Sequence, residues 1–166
     1  MSTDRIEKKL LLKAPRSRVW RAISDSKEFS HWFGVKFDEP FVPGKAMHGT
    51  VVGTAVDEEI FKAQQQHAGL RFECVIDRME PERLFSFTWA HPKSFEKSDC
   101  PPDYSNEPTT LVEFRLEKTP TGTLLVVTES GFDKLPADRR LEAFRRNEGG
   151  WAEQMRNIEK YVANQA

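Results

Sequence analysis

A long amphipathic helix at the C-terminus is the feature that most constrains the fold of this chain. Pro136 suits the start of a helix, and Asp138 adds negative charge to its first turn. The apolar residues that recur at steps of three, four or seven are Leu141, Phe144, Trp151, Met155, Ile158 and Val162. This spacing predicts one helix with a single apolar stripe, which other parts of the chain must cover.

Alternating strands before this helix can supply the cover. The alternation is clearest in 110–118, "TLVEFRLEK", where apolar and charged residues take opposite faces. The predicted strands are 5–13, 46–56, 70–79, 83–91, 110–118 and 123–130. Tight turns at Pro81 and at 119–122 favour an antiparallel meander with one apolar and one charged face. Gly49 and Gly53 predict bulges or sharp curvature in their strand.

Two short helices are predicted between the first strand and the rest of the sheet. Pro15 opens the first, Asp25 and Ser26 open the second, and Gly34 closes it. Together these elements predict an α+β helix-grip fold. In this fold a curved antiparallel sheet wraps around a long C-terminal helix, and residues 1–166 form a single domain.

Composition narrows the class of partner. The chain has 25 Lys and Arg against 26 Asp and Glu, a net charge of −1, which argues against nucleic acid as the main partner. The N-terminus lacks an apolar signal region, and no apolar run is long enough for a membrane span. Cys74 and Cys100 are too few for a disulfide framework, so we expect reduced thiols in a cytoplasmic protein.

Three segments of the sequence each allow two interpretations, and their periodicity does not decide between them. The segment 57–69 is too polar for a central strand, and 92–108 holds four prolines without periodicity. Such segments are either lids and binding loops or plain solvated loops. The run "TLLVV" (123–127) is apolar on both faces, which indicates either a homodimer contact or a central strand.

Five pieces of the chain, taken in order, resemble a known superfamily. They are "KAPRSRVWRAISDSKEFSHWFG", "MEPERLFSFTWA", "TLVEFRL", "TLLVVTESGF" and "EGGW". They are similar to the START-like (SRPBCC) superfamily, and within it to homologues of the activator of heat-shock-protein ATPase. The resemblance implies the helix-grip fold and a mostly apolar cavity between sheet and helix that takes up small hydrophobic molecules. It also implies a range of functions, since some branches bind lipids or hormones, some cyclise polyketides and some stimulate a chaperone.

Motifs for catalysis are nearly absent from the sequence. There is no G-x-S-x-G turn, phosphate-binding glycine loop or C-x-x-C pair. His31, His48, His67 and His91 lie in separate segments, so we expect no metal site and no cofactor. Only His91 is placed near a cavity mouth, because it shares the strand parity of Trp89. A hydrogen-bonded structural role is the simpler interpretation of His91.

Glu148 is the candidate acid, because an ideal helix places it on the stripe with Trp151. A buried carboxylate would either pair with an inward arginine such as Arg78 or face a polar part of a cavity. Alternatively, the helix bends and Glu148 reaches solvent. The adjacent Gly149 and Gly150 are predicted to point away from the stripe and to bend the helix along the curved sheet.

Aromatic side chains on the predicted inner faces indicate a partial cavity, because the strand centred on Cys74 and the nearby glycines leave space in a curved sheet. The candidate ligand-binding residues are Trp32, Phe33, Phe72, Cys74, Phe87, Trp89, His91, Phe114, Glu148, Trp151 and Met155. The leading hypothesis is binding of a small hydrophobic or amphipathic ligand. The second is a module that binds a chaperone or another protein. The third is an enzyme of the cyclase or hydratase kind with Glu148 or His91 as its acid–base group.

Overall fold

The computed structural model describes residues 5–37, 39–65, 68–91 and 108–164. In chain order the elements are β1 (Arg5–Leu12), α1 (Arg16–Ser24), α2 (Ser26–Phe33), β2 (Val35–Phe37), β3 (Ala46–Val51), α3 (Glu58–Gln64), β4 (Arg71–Glu80), β5 (Leu84–Ala90), β6 (Thr109–Thr119), β7 (Gly122–Ser130) and α4 (Ala137–Asn164). A short 3-10 turn, Phe132–Lys134, joins β7 to α4.

The strands form one seven-stranded sheet in the order β1-β7-β6-β5-β4-β3-β2. Every neighbouring pair is antiparallel, and the curled sheet wraps around α4. The predicted α+β helix-grip fold is therefore confirmed. The run "TLLVV" lies in β7, which has β1 on one side and β6 on the other and is an interior strand of the sheet.

Turns and strand irregularities follow the sequence signals only in part. Thr119 pairs with Gly122, which confirms the predicted hairpin turn. Gly49 does not form a bulge, because it pairs in regular register with β4. The register shift in the sheet lies instead between Ile76 and Arg78 on β4. Gly53 lies beyond the end of β3 with a φ of +100°, where a side chain would be strained.

The start and end of α2 match their predicted signals. The Asp25 side chain accepts hydrogen bonds from the backbone N–H groups of Lys27 and Glu28 at 2.9 and 3.1 Å. Gly34 ends the helix with a φ of +87°, and a Cβ at this position would lie 2.7 Å from the Thr54 backbone nitrogen. Only glycine satisfies both conditions.

The segment 57–69 contains a helix, so the expectation that it is structureless is wrong for α3. Asp57 caps α3 by accepting a hydrogen bond from the Ile60 backbone N–H at 2.9 Å, and Ile60 is buried. The capping aspartate was a local helix signal, but the surrounding polar residues conceal the single buried side chain. Residues 92–107 lie outside the described residues. The interpretation of the segment 92–108 as a lid or a plain loop therefore stays a prediction.

The buried face of α4 includes Trp151, Met155, Ile158 and Val162 of the predicted stripe but differs from the prediction elsewhere. Leu141, counted in that stripe, is 46% exposed, and Glu148 is exposed. Gln154 takes part in the buried face instead, and its amide donates to the Phe33 backbone carbonyl at 2.9 Å. Hydropathy cannot detect the burial of Gln154, because a polar side chain becomes a good buried residue only when the fold supplies its hydrogen-bond partner.

Candidate functional site

The Glu129 carboxylate on β7 is fully buried where the sheet meets α4. It accepts a hydrogen bond from the indole N–H of Trp89 at 2.8 Å and from that of Trp151 at 2.8 Å. The Thr110 hydroxyl donates to it at 2.5 Å, and the Asn147 amide donates at 3.0 Å to each oxygen. One side chain therefore connects β5, β6 and β7 to α4.

This environment determines the charge of Glu129. Burial alone raises the pKa of the carboxyl, because it penalises the charged form. Hydrogen bonds from His91, Thr110, Trp151 and Trp89 oppose that effect and leave the pKa of Glu129 below its ordinary value. The group is therefore a carboxylate near neutral pH, with its oxygens occupied by hydrogen-bond donors.

His91 follows directly after β5 and completes this cluster. Its Nε2 lies 2.7 Å from Thr110 Oγ1 and 3.4 Å from a Glu129 oxygen. The imidazole is 4% exposed and packs edge-on against the Phe132 ring. This contact confirms that His91 is a hydrogen-bonded, buried histidine.

A cavity of about 660 Å³ opens beside the cluster, between α4, α3 and the adjoining ends of the sheet. We call it the α4 cavity. Its apolar lining residues are Phe33, Val35, Val51, Ala63, Leu70, Trp89, Ala90 and Trp151. Its polar lining residues are Gln64, Arg71, His91, Arg146, Asn147, Glu153 and Gln154. Gly34, Gly149 and Gly150 also line it.

The stacked indoles of Trp89 and Trp151 separate the α4 cavity from the core. Their ring centroids are 5.8 Å apart with an interplanar angle of 28°. Each N–H donates to Glu129, so the carboxylate fixes the orientation of both rings. Behind them, a space of only about 10 Å³ remains among the core aromatics, too small for an organic ligand.

The two glycines of "NEGGW" contribute directly to the cavity, contrary to the expectation that they point away from it. Gly149 and Gly150 both line the α4 cavity, and a Cβ built on either meets no atom within 4 Å. The helix α4 runs through both residues without interruption, and the predicted bend remains a prediction.

The structure separates the sequence-predicted site residues into distinct groups. Those that line the α4 cavity are Phe33, Trp89, His91 and Trp151. Those buried in the core and absent from the cavity lining are Trp32, Cys74, Phe87, Phe114 and Met155. The side chain of Phe72 lies outside the described part of the structure. Burial raises the pKa of the Cys74 thiol to about 12, typical of a core cysteine rather than a reactive one.

Of the two placements predicted for Glu148, inward on the stripe or in solvent, the structure shows the second. Glu148 is exposed and does not line the cavity, and Arg78 is an exposed side chain paired with Glu80. The buried acid is Glu129, and the α4 side chain that contacts it is Asn147, one position before Glu148. Strand parity could have identified Glu129, because Leu125 and Val127 precede it at inward positions of β7.

The remaining histidines lie away from this cluster. His48 is exposed and lies 3.0 Å from the Glu73 carboxylate, while His31 packs near the ring of Tyr161. His67 is outside the described residues. Within the described ranges, no three His, Cys, Asp or Glu side chains come together as a metal site. No helix in the described part of the chain is both long and apolar enough to cross a membrane.

Solved structures with the same architecture are numerous and share little sequence with this chain. A protein from Mesorhizobium loti, MLL2253, is 20% identical over 98% of each chain, with a TM-score of 0.69. A protein from Arthrobacter aurescens is 14% identical over 99% of this chain and 88% of its own, with a TM-score of 0.72. At these identities the likeness establishes the fold alone.

A third structure, DynU16, is described as a putative protein in the dynemicin biosynthetic locus. It is 21% identical, with a TM-score of 0.66, and the match covers 96% of this chain and 47% of DynU16. A search of curated proteins gave no significant match. The family described as "Activator of Hsp90 ATPase homolog 1-like protein" matches residues 13–163. The chain therefore belongs to this family of the START-like superfamily.

Proposed function

We propose that this protein binds a small hydrophobic or amphipathic molecule in the α4 cavity. The observation that carries the proposal is the cavity itself, with a volume of about 660 Å³ and largely apolar walls. Pockets for small organic ligands typically span about 300–1,000 Å³ and combine apolar walls with a few polar groups. The START-like superfamily generally binds hydrophobic ligands, which supports the same conclusion.

The arrangement of the wall supports an amphipathic rather than a purely apolar ligand. Trp89, Trp151 and Phe33 offer aromatic surface on one side. His91 and Asn147 stand beside the two indoles, so a ligand can bury its apolar body while one polar group meets a side chain. The Glu129 carboxylate keeps the indoles in place without itself being part of the lining.

A thermal-shift screen against fatty acids, sterols, flavonoids and aromatic polyketides tests the proposal. A ligand at about 100 times its dissociation constant adds roughly 2.7 kcal/mol to the free energy of unfolding. For a domain of this size we expect the melting temperature to rise by roughly 5–10 °C. A screen with no shift in any class would count against a small-molecule function and in favour of a protein partner.

Two leucine variants on α4 separate cavity binding from non-specific binding. Gly150→Leu projects a side chain into the α4 cavity, where no atom obstructs the first carbon, so the ligand-induced shift should disappear. Glu148→Leu adds the same side chain to the exposed face of the same helix and should retain the shift. Retention of the full shift in Gly150→Leu would place the ligand elsewhere.

An enzymatic function receives less support from the positions of the acid–base candidates. Glu148 is outside the cavity lining, and Glu129 is held as a carboxylate by its donors and has no proton to give. Of the two acid–base candidates predicted from the sequence, Glu148 and His91, only His91 lines the cavity. Binding is therefore the function that the geometry supports best.

A further inference from the structure

One ring nitrogen of His91 has no hydrogen-bond partner in the described part of the chain. The ring lines the α4 cavity and is 4% exposed. Its Nδ1 atom is buried and has no hydrogen-bond partner among the described residues. Since buried polar atoms are nearly always hydrogen-bonded, an unpaired one beside a cavity points to a ligand group.

The positions of the protons on the neighbouring groups determine whether Nδ1 is a hydrogen-bond donor or an acceptor. Thr110 has one hydroxyl proton, and the 2.5 Å contact with Glu129 directs that proton to the carboxylate. Thr110 Oγ1 can then only accept from its other neighbours, and the Trp89 indole N–H donates to it at 3.0 Å. The remaining contact, His91 Nε2 at 2.7 Å, must therefore be an N–H donor as well.

The tautomer of the neutral ring follows directly. A neutral imidazole carries one proton, so when Nε2 is the donor, Nδ1 holds the unshared electron pair and is an acceptor. An acceptor requires a ligand group with a proton, such as a hydroxyl. An ether, ester or halogen of the same size has no proton to offer.

We propose that the His91 ring is neutral and that its Nδ1 accepts a hydrogen bond from a hydroxyl group of the ligand, and that this bond makes the α4 cavity selective for hydroxyl-bearing apolar molecules. The inference rests on the proposed binding function and names its ligand class. Glu129 and Thr110 set this selectivity from outside the cavity lining, because their hydrogen bonds fix the His91 tautomer. They are positioning residues for His91.

A pair of probes of equal size tests the selectivity. We would measure the dissociation constants of 2-naphthol and 2-fluoronaphthalene by calorimetry for the wild type and for His91→Gln. Glutamine places its amide nitrogen near the position of Nε2 and keeps the donor to Thr110, but it has no acceptor where Nδ1 was. The change in the ratio of the two constants from wild type to His91→Gln cancels the difference in hydration between the probes, because the free probes are the same in both measurements.

We expect the preference for 2-naphthol over 2-fluoronaphthalene to fall about tenfold in His91→Gln, the usual size of one well-formed hydrogen bond. An unchanged ratio with both probes still bound would overturn the hydroxyl proposal and leave the binding function intact. Binding of neither probe by the wild type at millimolar concentration would contradict both.

A second measurement needs no variant and is insensitive to misfolding. The ¹⁵N spectrum of histidine-labelled wild-type protein should show His91 with Nε2 protonated and Nδ1 unprotonated. Addition of 2-naphthol should shift the Nδ1 resonance toward the hydrogen-bonded range, whereas 2-fluoronaphthalene should not. A protonated Nδ1 in the free protein would overturn the proposal.

Discussion

Glu129 shows how a charged side chain is accommodated in the interior of a domain of this kind. A carboxylate removed from water loses much of its hydration, and it is tolerated only when other groups replace the lost hydrogen bonds. Here neutral N–H and O–H donors from Trp89, Thr110, Asn147 and Trp151 do so. Three of these donors, Trp89, Asn147 and Trp151, also line the α4 cavity, so stability and site geometry both depend on Glu129.

Removing the charge of Glu129 should therefore destabilise the protein. Trp89 and Trp151 donate to different oxygens of Glu129, so in Glu129→Gln the amide NH₂ faces one of these two N–H groups, and at least one buried donor loses its acceptor. We expect the free energy of unfolding to fall by about 2–4 kcal/mol, measured by urea denaturation. Glu113→Gln, the same change on the outer face of the sheet, should cost less than about 1 kcal/mol. Equal effects of the two would contradict this account.

The lowered pKa of Glu129 also predicts an acid limit to stability. Because the pKa is lower in the folded protein than the ordinary value of 4.5, the unfolded chain takes up the proton first. The stabilisation is fully present above about pH 4.5 and is lost as the pH falls through the folded pKa. The difference in unfolding free energy between wild type and Glu129→Gln should narrow over that range. A difference that stays constant down to pH 3 would contradict the assignment.

At the scale of one element, α4 combines structural and binding roles along the same face. Its buried face includes Trp151 and Ile158 but also Asn147 and Gln154, whose amides donate to the Glu129 carboxylate and the Phe33 carbonyl. Between these residues the glycine pair leaves backbone exposed to the cavity. Glycine inside a helix costs about 1 kcal/mol relative to alanine, so helix stability is reduced where space is gained.

Replacing both glycines by alanine should raise the stability of the helix and reduce the space in the cavity. A Cβ at Gly149 or Gly150 meets open space, so Gly149→Ala with Gly150→Ala should raise the free energy of unfolding by about 1–2 kcal/mol in urea denaturation. The two methyl groups narrow the cavity, so ligand affinity should fall in the same protein. Glu148→Ala, on the exposed face between Asn147 and Gly149, should change stability by less than about 0.5 kcal/mol. A loss of stability in the double variant would show that the glycines have a backbone role.

At the scale of the whole molecule, the sheet presents two faces with different chemistry. The inner face meets α4 and the aromatic core, while the outer face carries charged pairs such as Arg115 with Glu113 at 2.8 Å. A small-molecule function belongs to the inner side. A chaperone or other protein partner would contact the outer face and the loops.

Exchanging the charges of this pair separates the two functions. Glu113→Lys with Arg115→Glu keeps an ion pair on the surface but reverses the pattern, and we expect the ligand-induced rise in melting temperature to stay within about 1 °C of the wild type. The inner-face variant Gly150→Leu should lose that rise under the same conditions. If the charge exchange abolishes binding, the outer face takes part in function.

The sequence by itself determined the fold class and the order of most elements, but not α3 or the short strand β2. Alternation in 110–118, the signals at Asp25 and Gly34, and the spacing from Phe144 to Val162 are local patterns, and each is visible within a few turns or strand residues. Each pattern arises because one side of the element faces solvent and the other faces the core. It can therefore be recognised without knowing which element packs against it. They predicted the sheet, the helix pair and the long final helix.

Only the tertiary structure decided which acid is buried and where the cavity lies. Glu129 and Glu148 have the same side chain, and hydropathy assigns the same cost to burying either one. The difference arises because β5, β6 and α4 bring Trp89, Thr110 and Trp151 to Glu129, while Glu148 faces solvent. Burial of a charge depends on donors contributed by distant segments, and their convergence is a property of the packed fold rather than of any local stretch.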